Sequence, residues 1–470
     1  MITKKFKINL FFKILIFYFS IIILYGCFKL SNLNNIYQGK LYILAIIVSI
    51  FFIFIFVWII KKLNDNVKIN ITISCITFFI CLLSLEIYLF YGMKTYYVDR
   101  DQKLVNAAKK AGVTIDLVID KTEIQKKYKI NNNEELHLWT GGHSFLNEKV
   151  LSKASNEKNI LPLGALANKK ILLCNENGYY LIYQSDKHGF ANNNKFYNKE
   201  NLKIMMVGDS YTEGACVHSE ENIQYLLNQE NIGSVSFGKG GNSSLLNLAT
   251  LREYVLNYKP PVVLWMHYEN DIDGIESEFK NPILLNYLNN KNYTQNLISR
   301  QNEIDRIILE SKKERQKVID KETNEGDKLN IFYKNIFFST IKFTKTREII
   351  KIAIVNYKKS RINYTKFKKI INSANNSIKE YGGTMYFVYL PSYYNFNKNI
   401  NFSTKIIHVL EIINNINIPI INIQETFQSH ENPMKLFPFG QFAHYNKAGY
   451  ELVTKTIIKR LIEDKKIKSK

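Results

Sequence analysis

The residues best suited to chemistry are the serine of Gly208-Asp209-Ser210-Tyr211-Thr212-Glu213-Gly214 and the histidine of Phe442-Ala443-His444-Tyr445-Asn446. Ser210 follows a short apolar run and heads a helical segment. A serine at such a strand-to-helix turn exposes its Oγ, and nearby backbone N–H groups can stabilise a developing oxyanion. His444, just before another helical segment, can take the serine's proton. The G-x-S-x-G elbow is not matched, because Thr212 stands where the second glycine would be. Taken alone, Gly-Asp-Ser reads as a turn and a single histidine as a structural residue. Two further pieces change that reading. Gly238-Lys239-Gly240-Gly241-Asn242 is flexible backbone able to bring an N–H close to a ligand, and Tyr268-Glu269-Asn270-Asp271 offers a neutral amide donor.

Each of these pieces ends or follows an apolar run. Residues 203–207, 234–237, 261–266, 384–390 and 418–423 read as strands, and residues 224–229, 245–258 and 368–381 as helices between them. That alternation predicts an α/β domain over 201–470, a parallel five-stranded sheet with helices on both faces. Its site lies on the loops at the strand C-terminal ends. A long insertion, about 273–363, interrupts it. The charged amphipathic helix at 301–321 reads as a solvated face, with a lid as the sharper alternative. Before the sheet, residues 94–200 form an accessory segment: an amphipathic helix around 102–111, short strands, then a hairpin at 171–183 turning on Asn175-Glu176-Asn177-Gly178.

Residues 1–93 are a membrane region. Stretches 8–28, 41–60 and 69–91 are each about 20 residues long and almost wholly apolar, enough to cross a bilayer. Leu24-Tyr25-Gly26-Cys27 resembles a lipoprotein cleavage site, but two further spans make a lipid anchor redundant, and an uncleaved helix is expected. Lys4, Lys5 and Lys7 precede the first span, and Lys61, Lys62 and Lys68 lie between the second and third; the first loop has only Lys29 and Lys40. Positive-inside counting puts the N-terminus in the cytoplasm and everything after the third span on the extracytoplasmic, periplasmic side of the inner membrane. Glu86 sits near the outer end of span three, within reach of the interface; a proton relay is the alternative.

The formal charge of +22 comes from lysines spread along a chain also rich in Asn, Ile, Tyr and Phe, as a low-GC genome favours. Without a dense basic tract or zinc-finger spacing, nucleic acid is not expected as a partner. None of the five cysteines has CxxC or metal-ligand spacing. Cys27, Cys75 and Cys81 lie in or beside apolar stretches, while Cys174 and Cys216 fall in the globular part, as a disulfide or as two free thiols.

Gly208-Asp209-Ser210, Gly241, Asn270 and His444 fall in the order and context of the four blocks of the SGNH/GDSL hydrolase superfamily, which the chain resembles. Residues 175–192, with Ser185-Asp186-Lys187-His188-Gly189-Phe190, are similar to the segment before the serine block in membrane-linked members near surface-polysaccharide genes. The resemblance covers about 94–470. It implies a flavodoxin-like α/β/α fold and acyl transfer without metal or cofactor. Ser210 would be nucleophile, His444 base, and Ser210, Gly241 and Asn270 the oxyanion donors; Asp209 would brace the turn. Two positions depart from the pattern. Gln441 replaces the aspartate three residues before the histidine, and Tyr268 the glycine two before Asn270. His444 would then be oriented by a backbone carbonyl near Gln441, or by Asp271 or another acid brought in by folding.

The leading expectation is an esterase removing acyl groups, acetyl above all, from a cell-envelope glycan or another ester substrate. A glycan O-acyltransferase would use the same Ser–His site, though three spans are few for handing acyl groups across a membrane. A non-catalytic glycan-binding or assembly protein rests on Gln441 alone. A lipase lacks an evident long apolar groove. Protein partners and oligomeric state are not legible.

Overall fold

The structure, a computed structural model, describes residues 2–31, 36–115, 124, 135–146, 160–322, 343–396 and 404–468. It divides into two compact units: Met1–Met93 with Phe332–Ile350, and Lys94–Ile331 with Lys351–Lys470. The accessory segment expected at 94–200 therefore belongs to the same unit as the sheet.

The first unit holds α1 (Ile2–Ser31), α2 (Ile36–Lys62) and the start of α3 (Asp65–Lys110). Three stretches, Asn9–Phe28, Ala45–Lys62 and Asp65–Leu89, are long and apolar enough to cross a membrane. Their large side chains point outward (Phe17 is 68% exposed, Phe54 71% and Tyr88 72%), the reverse of a water-facing helix. Phe12, Phe19, Phe52 and Phe56 pack as rings between α1 and α2. Glu86 is buried, and its carboxylate accepts the backbone N–H groups of Lys345 and Thr346 and the Thr346 hydroxyl. Those N–H groups open a helix, Thr344–Lys379, where an acceptor satisfies donors that lack an intrahelical partner.

In the second unit a small sheet comes first. Strands β1 (Leu136–Leu138), β2 (Lys170–Leu172) and β3 (Ile182–Gln184) lie in that order, β1–β2 parallel and β2–β3 antiparallel. The hairpin is present, and beyond the two strands Leu173 N–H still donates to the Leu181 carbonyl and Leu181 N–H to the Cys174 carbonyl, so the connection is residues 175–180. The short strands expected before residue 135 lie mostly outside the described residues.

The main sheet comprises β4 (Leu202–Val207), β5 (Gly233–Ser236), β6 (Val262–Tyr268), β7 (Thr384–Leu390) and β8 (Ile420–Asn422). All neighbours are parallel, in the order β5-β4-β6-β7-β8, the flavodoxin-like 2-1-3-4-5 arrangement. Every residue of β6 is buried, as a strand covered by helices on both faces must be. One core layer gathers Met205, Val207, Trp265 and Phe387, the other Ile204, Met206, Leu264 and Val388, so alternate residues of each strand feed opposite faces.

The helix expected at 245–258 is interrupted. Ser244–Thr250 passes into a π-helical turn, Leu251–Val255, before Leu256–Tyr258. That turn carries Glu253, whose buried carboxylate accepts from Tyr287, Thr294 and the N–H groups of Gln295 and Leu297. The insertion is thereby anchored to the core. Its helix Gln301–Glu322 is not simply a solvated face, since Ile304, Ile307 and Ile308 join the main core.

Candidate active site

Strand β4 runs into Gly208, where a side chain could not fit: a Cβ would lie 2.1 Å from Thr212 Oγ1. Asp209 then caps the one-turn helix α4 (Ser210–Glu213), its Oδ1 accepting the Tyr211 N–H at 3.0 Å. Ser210 is the first residue of that turn, at the C-terminal end of the strand where the strand order reverses. Burial raises the Asp209 carboxyl to about 6.

His444 arrives from the other end of the chain. Asn446 caps the following helix, Lys447–Glu463, through the Gly449 N–H, and its amide nitrogen donates to the Lys435 and Phe437 carbonyls. Ala443 packs against Leu104 and Ala108 near the end of α3. The Tyr211 ring lies 4.8 Å from the imidazole, and its hydroxyl donates to the Ala443 carbonyl. So held, His444 Nε2 is 2.9 Å from Ser210 Oγ.

The other ring nitrogen answers the question left by Gln441. His444 Nδ1 is 2.9 Å from Glu176 Oε2, and the same oxygen accepts the His444 backbone N–H at 2.8 Å. A carboxylate only accepts, so Nδ1 carries the proton and Nε2 is left to accept from the serine. Gln441 ends a 3-10 turn, its N–H donating to the Pro438 carbonyl, and what Nδ1 meets is not a carbonyl there. Asp271 is directed elsewhere: it is buried, accepts the Tyr268 N–H, and burial followed by the nearby Asp209 charge holds it well above the usual carboxylate range. Burial lowers the pKa of His444, but the charge and hydrogen bond of Glu176 outweigh it and leave the net shift upward.

Glu176 was missed by the sequence reading. It sits in the hairpin connection, within residues 175–192, where the sequence points to a turn and a family-like segment but not to this acid. The available signal was Cys174, two residues before it, which is bonded to Cys216 just beyond α4, with a Cα–Cα distance of 5.3 Å. Cys216 Sγ lies 3.7 Å from His444 Nδ1, making a Glu–Cys–His cluster, but the sulfur is spent in the disulfide and is not a thiolate ligand for a metal.

The glycine loop after β5 is tied to the helix that begins at Ser210. Glu213 Oε2 accepts the Gly240 N–H at 2.8 Å, and Oε1 meets Lys239 Nζ at 2.6 Å, Tyr183 OH at 2.9 Å and Trp139 Nε1 at 2.9 Å. Glu213 and Lys239 are both wholly buried, so the ion pair is closed off from water. Gly241 has φ +75°, and a Cβ there would come within 2.3 Å of His143 Nδ1. Asn270 lies in the turn Glu269–Ile272 that ends β6, and is exposed. Gly241 and Asn270 thus follow the two strands that flank β4.

No family model and no curated protein matches this chain. Among solved structures it is similar to the acetyl xylan esterase AlAXEase, at 13% identity over 56% of this chain and 100% of that one, with a TM-score of 0.32. It is also similar to a GDSL-like lipase from Bacteroides thetaiotaomicron VPI-5482, at 14% identity over 57% and 91%, with a TM-score of 0.31. A lipase/acylhydrolase from Enterococcus faecalis aligns at 12% identity over 56% and 96%, with a TM-score of 0.29. At such identities and TM-scores the chemistry rests on this chain's own side chains.

Proposed function

We propose that the chain is a membrane-anchored serine hydrolase that removes acyl groups, acetyl above all, from esters of a cell-envelope glycan on the extracytoplasmic side. One observation carries the reading: Ser210, His444 and Glu176 form a continuous hydrogen-bonded series, Oγ to Nε2 and Nδ1 to carboxylate. In this reading Ser210 Oγ attacks the ester carbonyl as Nε2 takes its proton, and Glu176 stabilises the imidazolium that forms. The oxyanion is received by the N–H groups of Ser210 and Gly241 and the Asn270 amide. Nε2–H then protonates the departing sugar hydroxyl, and water, activated by the same nitrogen, releases the acid from Ser210.

The disulfide supports an oxidising compartment, in keeping with the lysine distribution around the apolar helices. Glu176 on His444 Nδ1 occupies the place of the aspartate that Gln441 replaces, which supports the catalytic reading over a glycan-binding one.

The test is hydrolysis of a chromogenic acetyl ester by the full-length protein in detergent, beside Ser210→Ala and His444→Ala, with intact-mass detection of an acyl adduct. Turnover lost in both variants is the expected result. A folded wild type that neither turns over nor acquires an adduct overturns the reading.

A further inference from the structure

We propose that the Cys174–Cys216 disulfide is the positioning element that delivers Glu176 to His444, placing the base under thiol–disulfide control; this rests on the hydrolase reading above. Glu176 does not belong to the five-stranded sheet. It lies in the connection of a hairpin whose strands are three residues each; Ile171, Leu181 and Tyr183 of that hairpin pack into the main core, while Glu176 itself is only partly buried.

The hairpin is tied to the Ser210 side at its base, where the Tyr183 hydroxyl donates to Glu213 of α4, and near Glu176 through one short segment just past α4. The disulfide reaches Cys216, and Asn177 Nδ2 donates to the Cys216 carbonyl at 2.8 Å. The Tyr179 ring stacks on His218 at 3.9 Å, and its hydroxyl donates to Glu221 at 3.2 Å. From the other side, Gly178 abuts Val113, where a Cβ would meet Cγ1 at 2.2 Å. Only the disulfide is covalent. Cys216 itself holds a left-handed φ of 67°, a conformation a non-glycine residue keeps only when its surroundings impose it.

The bond also lies against the group it serves, because Cys216 Sγ is 3.7 Å from the Nδ1 that Glu176 engages. A small dithiol would exchange with the disulfide: its thiolate attacks one sulfur, the S–S bond breaks, and the reagent leaves as its own cyclic disulfide. Two electrons pass to the protein, which keeps two cysteine thiols. The Cys216 thiol then stands beside Nδ1 as a rival partner, and the connection that carries Glu176 loses its covalent tie to the segment past α4, keeping there the Asn177 and Tyr179 contacts. Glu176 withdraws, and the imidazole loses the charge that favours its protonated form.

The experiment uses the full-length protein in detergent, oxidised or treated with dithiothreitol, with released thiols counted by mass. His444 is titrated independently of activity, by its rate of modification with diethyl pyrocarbonate against pH, and acetyl-ester kinetics are measured in parallel. Reduction is expected to lower the His444 midpoint and to lower kcat roughly 100-fold, with KM little changed. The double variant Cys174→Ser/Cys216→Ser should match the reduced protein and ignore dithiothreitol. Glu176→Gln should show the lowered midpoint even when oxidised. Circular dichroism identifies a variant that has failed to fold, in which case the dithiothreitol arm decides. Two released thiols with an unmoved His444 midpoint overturn the proposal, even if the protein hydrolyses esters. A midpoint that moves in a protein without esterase activity leaves the positioning role standing and overturns the hydrolase reading alone.

Discussion

A single oxygen, Glu176 Oε2, holds His444 at two points, accepting its backbone N–H at 2.8 Å and its Nδ1–H at 2.9 Å. The contact fixes ring position and tautomer together. It joins an acid in a surface hairpin to a histidine 268 residues away.

Glu176→Gln keeps the shape but removes the charge, and its amide can present a donor to Nδ1. We expect kcat to fall on the order of 100- to 10,000-fold, with KM nearly unchanged. Because Glu176 holds the His444 pKa above the ordinary 6.5, the wild-type acid limb of kcat/KM should lie above that value. The variant's limb should move to lower pH, since an imidazole without the Glu176 charge keeps Nε2 unprotonated at a higher proton activity. A pH–rate profile of both proteins checks the sign.

Gly241→Ala forces a Cβ into a left-handed position and against His143 Nδ1. If Gly241 supplies an oxyanion N–H, kcat should drop by roughly 100-fold, the usual scale for one such donor. Gly241→Ala combined with His143→Ala removes the clash and should recover part of the loss. Steady-state kinetics on the two variants decide it.

Lys239→Met leaves Glu213 buried without its counter-charge, though with three hydrogen bonds still in place. Breaking one side of a buried ion pair costs about 3 kcal/mol. Adding Glu213→Gln should return part of that stability. Thermal unfolding followed by tryptophan fluorescence measures both.

Gly189→Ala tests whether the Ser185–Phe190 segment is a frame or a ligand contact. Gly189 has φ +82°, and a Cβ would sit 2.0 Å from the Ala165 carbonyl oxygen. Asp186, at the centre of the segment, accepts from His188, Phe190, Asn192 and Tyr197, and Asn192 pairs with both backbone groups of Ser236 on β5. The expected outcome is a loss of stability on the order of 3 kcal/mol, with kcat per folded molecule retained.

The strands were legible because β4, β6 and β7 are buried on both faces and are written as continuous apolar runs. Ser210 and His444 were legible because each sits where a strand or loop hands over to a helix. The π turn at Leu251–Val255 was not, since an extra residue in a helix leaves the apolar spacing almost unaltered. In the insertion the amphipathic helix at 301–321 was legible, but its many charged residues suggested a solvated face, and that Ile304, Ile307 and Ile308 join the main core was not. Glu176 was hidden for a different reason. Its partner is set by a long-range contact, and an acid between two asparagines in a turn looks like any solvated loop residue.

The sulfur bridge spans 42 residues, whereas Ser210 and His444 are 234 apart. A growing chain therefore has both cysteines available long before its histidine is made. The bridge can thus join the Glu176 connection to the segment just past Ser210 before His444 exists. On the proposed reading, no esterase activity can precede synthesis of the segment bearing His444, the last of the three residues in chain order.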